Sequence, residues 1–142
     1  MIRIRPFQIE DLNMDLQPIY PKSAKHNFMD NLNPKLTFTL YDDVSKAPLV
    51  CAAFIAYRDA GAGVNMLISQ AFLKHKKETI FVLREGLGHY MEKFGFIRVH
   101  ATIRADFPTA RKWIKILGFQ EEGIMKKYGA ENEDHILFAK VV

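Results

Sequence analysis

One stretch decides the fold: Arg104-Ala-Asp-Phe-Pro-Thr-Ala-Arg-Lys-Trp-Ile-Lys-Ile-Leu-Gly-Phe119. Asp106 can cap a helix by accepting from backbone N–H groups, and Pro108 suits the first helical turn, where no hydrogen bond is lost. Gly118 can adopt the left-handed backbone conformation that commonly ends a helix. The apolar side chains on one stripe of this helix are Ala110, Trp113, Ile114 and Leu117. The stretch therefore predicts a short amphipathic helix between two strands.

The length and composition are those of an ordinary globular protein. With 142 residues, 49% of them hydrophobic and 25% charged, the chain suits one domain over residues 1–142. No apolar run approaches the roughly 20 residues that span a bilayer. Residues 2–7 alternate like a strand and lack the apolar core of a signal peptide. We therefore expect a cytoplasmic protein with no membrane partner.

Charge and metal-ligating residues exclude several classes of function. The formal net charge of +4 is compatible with an anionic ligand such as a nucleotide phosphate, but it is too small to indicate nucleic acid. The single cysteine, Cys51, lies in an apolar run and is predicted to be a buried side chain rather than a nucleophile. The five histidines show no metal-ligand spacing, so no metal site is predicted.

Hydrophobic periodicity predicts an alternation of strands and helices. The predicted strands cover residues 2–7, 35–41, 49–57, 64–72, 97–103, 120–128 and 135–142. The predicted helices cover residues 11–20 and 23–32, a long segment with Ile80, Leu83, Leu87, Tyr90 and Phe94 on one face, and the segment after Asp106. The order is βααβββαβαββ. It describes an α/β (α+β) fold, a mixed sheet of six to seven strands with helices on both faces.

This order resembles the fold of the GCN5-related N-acetyltransferase (GNAT) family over nearly the whole chain. The resemblance is carried by the strand, basic loop and long helix of residues 64–94, and by the helix that ends in Leu117-Gly118-Phe119. It implies that the fourth and fifth strands run parallel and splay apart at their carboxyl ends. It also implies transfer of an acetyl group from acetyl-CoA to an amine.

The resemblance implies a cofactor site after the fourth strand. Family members typically read Gln/Arg-x-x-Gly-x-Gly/Ala there, and backbone N–H groups hold the pyrophosphate of acetyl-CoA. Lys74 stands at the Gln/Arg position, whereas Lys77 and Thr79 replace the two glycines. A fourth-strand N–H near residues 67–69 would polarise the thioester carbonyl. The implied cofactor-binding residues are Leu67, Ile68, Ser69, Lys74, His75, Lys76, Lys77, Glu78, Thr79, Asp106 and Arg111.

The missing glycines leave two interpretations open. In the first, the lysines and the Thr79 hydroxyl hold a phosphate beside the helix N-terminus. In the second, the Cβ atoms of Lys77 and Thr79 obstruct the cofactor, and the loop is a solvated basic surface.

No residue stands out as a catalytic acid or base. The position at which many family members carry a tyrosine acid is Ile114. Tyr128 could replace that acid only if the last strands direct it inward. Glu121 and Glu122 face opposite ways on the sixth strand, so at most one can point at a site.

Three functions are compatible with these observations. The first is an acyl-CoA-dependent N-acetyltransferase, whose amine acceptor no motif in residues 11–32 or 129–134 identifies. The second is a catalytically silent GNAT-like binding or structural protein with a protein partner. It resembles small bacteriophage GNAT-like proteins, some of which are virion or accessory components, and implies host cytoplasm or virion. The third, a nucleic-acid binder, draws on Arg98, Arg104, Arg111, Lys112 and Lys115 and ranks last, because such charges usually form a solvated face.

Overall fold

The computed structural model describes all 142 residues and contains seven strands and three α-helices. The strands are β1 (Ile2–Pro6), β2 (Thr37–Asp42), β3 (Pro48–Arg58), β4 (Gly61–Ile68), β5 (Arg98–Arg104), β6 (Gln120–Met125) and β7 (His135–Val141). The helices are α1 (Ala24–Asp30), α2 (Lys76–Phe94) and α3 (Pro108–Ile116). The strands form one mixed sheet in the order β1-β2-β3-β4-β5-β7-β6, which confirms the predicted α/β class. No helix has both the length and the apolar character needed to cross a membrane.

The chain divides into two compact units. The first comprises Met1–Ile55 and Val64–Gly86, and the second comprises Ala56–Gly63 and Leu87–Val142. The single domain over residues 1–142 stays a prediction.

The first unit is built on antiparallel pairing. β1 pairs with β2, and β2 forms the predicted hairpin with β3, with Thr37 opposite Ala53. Residues 49–54 of β3 are buried, as expected for a central strand, whereas Ala56 and Tyr57 near its end are exposed. The core beneath α1 contains Met14, Ala24, Phe28, Cys51, Ala53 and Leu67.

The second unit contains the parallel pair that the resemblance implies. The start of β4 pairs with β5 in parallel, with Gly61 opposite Arg98. β5 and β6 both pair antiparallel with β7. The parallel arrangement is therefore confirmed, and the splay of the carboxyl ends stays a prediction.

The helix predicted over residues 11–20 is wrong. Only a short 3-10 helix, Ile9–Asn13, forms there. Leu16 makes an isolated antiparallel bridge with Ser69, and the backbone N–H of Gln17 donates to Ile68. Pro18, which has no N–H, follows at once. The backbone groups of this segment therefore bond to β4 rather than to a helical turn.

Two boundaries around β4 also differ from the prediction. Residues 61–63 were expected to break the chain, but β4 begins at Gly61, where a Cβ atom would lie 2.6 Å from the Tyr57 hydroxyl oxygen. The strand ends at Ile68 and is followed by a 3-10 helix, Gln70–Lys74. Of the predicted basic loop, Lys76 and Lys77 therefore lie in α2, Lys74 ends the 3-10 helix, and only His75 lies between the two.

The two longer helices follow the predicted patterns in part. In α2, Ile80, Leu83 and Leu87 are buried as predicted, but Met91 completes the stripe and Tyr90 and Phe94 are only half-buried.

In α3, Pro108 starts the helix and Gly118 has φ +98°, as the sequence predicts. The predicted Asp106 cap is wrong, because the cap position is Phe107 and the Asp106 carboxylate pairs with Arg104 instead. Trp113, expected in the core, is half-buried.

Candidate functional site

The N-terminus of α2 follows β4 after seven residues and carries exposed positive charge. Lys74, Lys76 and Lys77 are all exposed. The first turn of a helix presents free N–H groups and the positive end of the helix dipole, both of which favour an anion. This end of α2 therefore combines two features that suit a phosphate group.

Two neighbouring side chains in this region, His75 and Glu78, contact other residues of the protein. His75 Nε2 lies 3.8 Å from the Asp42 carboxylate at the end of β2. A carboxylate oxygen of Glu78 accepts a hydrogen bond of 3.0 Å from the backbone N–H of Ile2. Both contacts fix the start of α2 against the first two strands, so these residues position the helix end.

Thr79 is the one predicted contact in this loop whose side chain is completely buried. Its relative exposure is 0%, and its hydroxyl has no hydrogen-bond partner. The side chain therefore lies inside the protein and not on the surface that a ligand would approach. Its effect on a phosphate at this helix end would have to be indirect.

We expect Thr79→Val to raise the free energy of unfolding by about 1 kcal/mol. Valine keeps the shape of the side chain and removes a buried hydroxyl that lacks a partner, a defect that costs about 1–3 kcal/mol. Chemical denaturation measures the change, and Thr109→Val, an exposed threonine of α3, is the control with no expected effect. A destabilised Thr79→Val protein would show that the hydroxyl makes a stabilising contact.

The β4 edge that faces away from β3 holds the second part of the site. Ser69 N–H donates to Leu49 O on β3, at 2.9 Å. Successive residues of a strand direct their backbone groups to opposite sides, so those of Met66 and Ile68 point away from β3. Ile68 N–H is thus the fourth-strand donor that could meet a ligand, while Leu67 is buried in the core.

Tyr20 already occupies this edge. Its hydroxyl accepts from Ile68 N–H and donates to Met66 O, each at 3.0 Å. Burial of the hydroxyl raises the pKa of Tyr20. Sequence reasoning missed this residue, because a tyrosine between Pro18 and Pro21 belongs to no periodic pattern and its partners are distant in sequence.

A buried polar cluster lies beside this region. Asp11 accepts two hydrogen bonds from Arg5, at 2.8 and 2.6 Å, and others from the Thr39 hydroxyl and Gln8 N–H. Burial alone would raise the pKa of Asp11, but these hydrogen bonds outweigh it and lower the pKa. Burial raises the pKa of the Cys51 thiol to about 12, so this cysteine is an inert core residue, as predicted.

The two remaining predicted cofactor contacts lie in the second unit. The Asp106 carboxylate accepts from Arg104 at 3.1 Å through both oxygens. Arg111 donates to a Glu121 carboxylate oxygen and to Ala105 O, both at 3.4 Å. The Asp106 side chain is exposed and the Arg111 side chain is half-buried, and each is hydrogen-bonded to another residue of the chain.

The second unit also has a shallow cavity of about 360 Å³ on the sheet face. It is lined by Tyr57, Arg98, His100, Thr102, Met125, Tyr128 and Leu137. Arg98 makes a two-point ion pair with Glu122. Burial lowers the pKa of His100, and the Arg98 charge lowers it further. Tyr128, the candidate acid, is 55% exposed and packs its ring edge-on against His135.

Solved structures of N-acetyltransferases match the chain over nearly its whole length. The ribosomal-protein-S18-alanine N-acetyltransferase from Escherichia coli has a TM-score of 0.77 and 22% identity, over 100% of this chain and 94% of that one. Ard1 from Thermoplasma volcanium has a TM-score of 0.80 and 14% identity, over 99% and 97% of the two chains. A GNAT-family acetyltransferase from Bacillus anthracis has a TM-score of 0.73 and 16% identity, over 99% and 94%.

The chain has the GNAT fold. No family model matches the sequence, and no curated protein matches it. At these identities the likeness shows the fold and not the reaction. The neighbours give no support to a bacteriophage origin.

Proposed function

We propose that the protein is an acyl-CoA-dependent N-acyltransferase that transfers an acetyl group to an amine, with the cytoplasm as its place of action. The observation that carries the proposal is the start of α2, seven residues after β4, where three exposed lysines lie at or next to a helix N-terminus in a chain with the GNAT fold. The silent, structural alternative has no comparable observation in its favour.

Different residues of the first unit would bind different parts of acetyl-CoA. Lys74, Lys76, Lys77 and the first N–H groups of α2 would hold the pyrophosphate through charge and hydrogen bonds. Ile68 N–H would polarise the carbonyl of the acyl group. Leu67, which is buried in the core, and Ser69, whose N–H donates to Leu49 O, would hold β4 in place without contacting the ligand. His75, Glu78 and Thr79 act by fixing the helix end and not by touching the ligand.

Bound acetyl-CoA would supply an acyl group activated as a thioester. In the transfer a C–N bond forms, the C–S bond breaks, the amine loses a proton and the thiolate gains one. Tyr128, whose hydroxyl is exposed, is retained as the candidate proton donor to the thiolate. Asp106 and Arg111 are retained as proposed cofactor contacts of the second unit.

The acceptor is an amine of undetermined class. Structural neighbours include an enzyme named for the alanine of a ribosomal protein, one for spermidine and one for phosphinothricin. These acceptors differ in size and charge, so the fold by itself selects none of them.

Calorimetric titration with acetyl-CoA tests the proposal. We expect the parent protein to bind, and replacement of three lysines by glutamate to weaken binding at least tenfold, because each change replaces an attractive charge by a repulsive one. The variant is Lys74→Glu, Lys76→Glu and Lys77→Glu. The control makes the same change in net charge at exposed lysines elsewhere: Lys22→Glu, Lys112→Glu and Lys126→Glu.

The loss of acetyl-CoA affinity in the variant at residues 74, 76 and 77 should become smaller at high salt, because salt screens charge interactions. The control variant should show no loss of affinity. A parent protein that fails to bind millimolar acetyl-CoA would contradict the proposed function. Equal weakening by both triple variants would contradict the assignment of the phosphate site to α2.

A further inference from the structure

Residues 15–20, here called the edge segment, run along the side of β4 that faces away from β3. Leu16 bridges Ser69, and Asp15 O accepts from Gln70 N–H at 2.7 Å. Gln17 N–H donates to Ile68 O at 3.2 Å. The hydroxyl of Tyr20 completes the row, and all of these residues belong to the first unit.

The Tyr20 hydroxyl reproduces the hydrogen bonding of a peptide group. It uses its donor on Met66 O and its acceptor on Ile68 N–H, which are two successive groups on the same edge of the strand. With Gln17 bonded to Ile68 O, both backbone groups of Ile68 are satisfied. A ligand that pairs with this edge would have to break these bonds.

We propose that the edge segment is an autoinhibitory plug, in which Tyr20 and Gln17 hold the β4 groups needed by the acyl donor and must leave before it can bind. The inference rests on the proposed function, because it identifies the occupied edge with the site of the thioester. An acyl donor with amide groups carries both N–H donors and C=O acceptors, which are the kinds of partner that Met66 O, Ile68 N–H and Ile68 O need once the segment leaves.

A role for Tyr20 as the catalytic acid fits the same contacts less well. The efficiency of a general acid is greatest when its pKa lies near the operating pH. Burial shifts the pKa of Tyr20 in the other direction, and its proton is already donated to Met66 O. The hydroxyl is thus arranged to hold the strand edge.

A reversible cross-link tests the plug directly. Residues opposite each other in an antiparallel bridge have Cα atoms about 4.5–5.5 Å apart, within the range that a disulfide spans. Leu16→Cys with Ser69→Cys should therefore form a disulfide on mild oxidation and lock the segment on β4. Cys51 is buried and should not compete.

We expect the oxidised double variant to lose acetyl-CoA binding and the reduced form of the same protein to recover it. Equal binding by both forms would overturn the plug. Failure of the cross-link to form would contradict the adjacency on which the inference depends.

Tyr20→Phe provides an independent measurement. It keeps the ring and removes the hydroxyl, so acetyl-CoA no longer competes with two hydrogen bonds, and we expect about tenfold tighter binding. Tyr41→Phe is the control, because Tyr41 lies on β2 and its ring packs beneath Arg5. An affinity of Tyr20→Phe within twofold of the parent, or weaker, would overturn the plug alone. Absence of binding by the parent at millimolar acetyl-CoA would overturn the proposed function, and the plug together with it.

Discussion

Replacement of Asp11 by alanine should lower the free energy of unfolding by about 3–5 kcal/mol. Asp11 is 3% exposed and accepts from Arg5, Thr39 and the backbone of Gln8. Removal of the carboxylate leaves the partly buried Arg5 guanidinium without its counter-charge, which is the costly way to break such a pair. Denaturant unfolding at neutral pH measures the loss.

The same contribution should depend on pH in a defined direction. The folded-state pKa of Asp11 lies below its ordinary value of 3.8. Its stabilising effect is therefore complete above about pH 4 and is lost as the pH falls through the folded pKa. The difference between the parent and Asp11→Ala should shrink in acid.

Glu10→Ala is the matched control, since it removes an exposed carboxylate from the adjacent position. It should change stability by less than about 0.5 kcal/mol. Equal effects of the two substitutions, or a difference independent of pH, would contradict the role assigned to the Asp11 cluster.

The fold follows from sequence wherever local chemistry and tertiary packing agree. Pro108 and Gly118 fix the start and end of α3 through backbone restrictions that no neighbour overrides. The apolar residues 49–54 of β3 indicate a central strand, because only a strand covered on both faces buries consecutive side chains.

Prediction fails where a side chain has a choice of partners. Asp106 is well placed to cap α3, but Arg104 lies two residues away and offers two charge-assisted hydrogen bonds. Periodicity at α2 predicts Tyr90 on the buried stripe. Met91 is buried in its place, with Tyr90 left half-buried.

Some residues of the candidate site could be predicted from the sequence and others could not. The lysines after β4 are visible in sequence because charge, position and a helix start coincide within a few residues. The role of Tyr20 could not be predicted from the sequence, because its hydrogen-bond partners are backbone groups 46 and 48 residues away. Many polar side chains could make the same hydrogen bonds. The burial of Thr79 likewise depends on how α2 packs in the first unit.

Leu87→Ala should lower the free energy of unfolding by about 2–5 kcal/mol. Leu87 is 0% exposed on the buried stripe of α2, next to Gly86, where a Cβ atom would lie 2.7 Å from Ile4 Cδ1. A helix packed this closely cannot collapse readily into the space that the leucine leaves, so the loss should include a cavity term. The better helix propensity of alanine offsets only a few tenths of a kcal/mol.

The midpoint of urea unfolding is the measurement, and Phe81→Ala is the control. Phe81 lies on the same helix but is 64% exposed, so its truncation should leave the free energy of unfolding within about 0.5 kcal/mol of the parent value. If Phe81→Ala proved the more damaging of the two, α2 would have to present its other face to the core. The lysines at its N-terminus would then be displaced from β4, and the proposed phosphate site would fail with the helix orientation on which it depends.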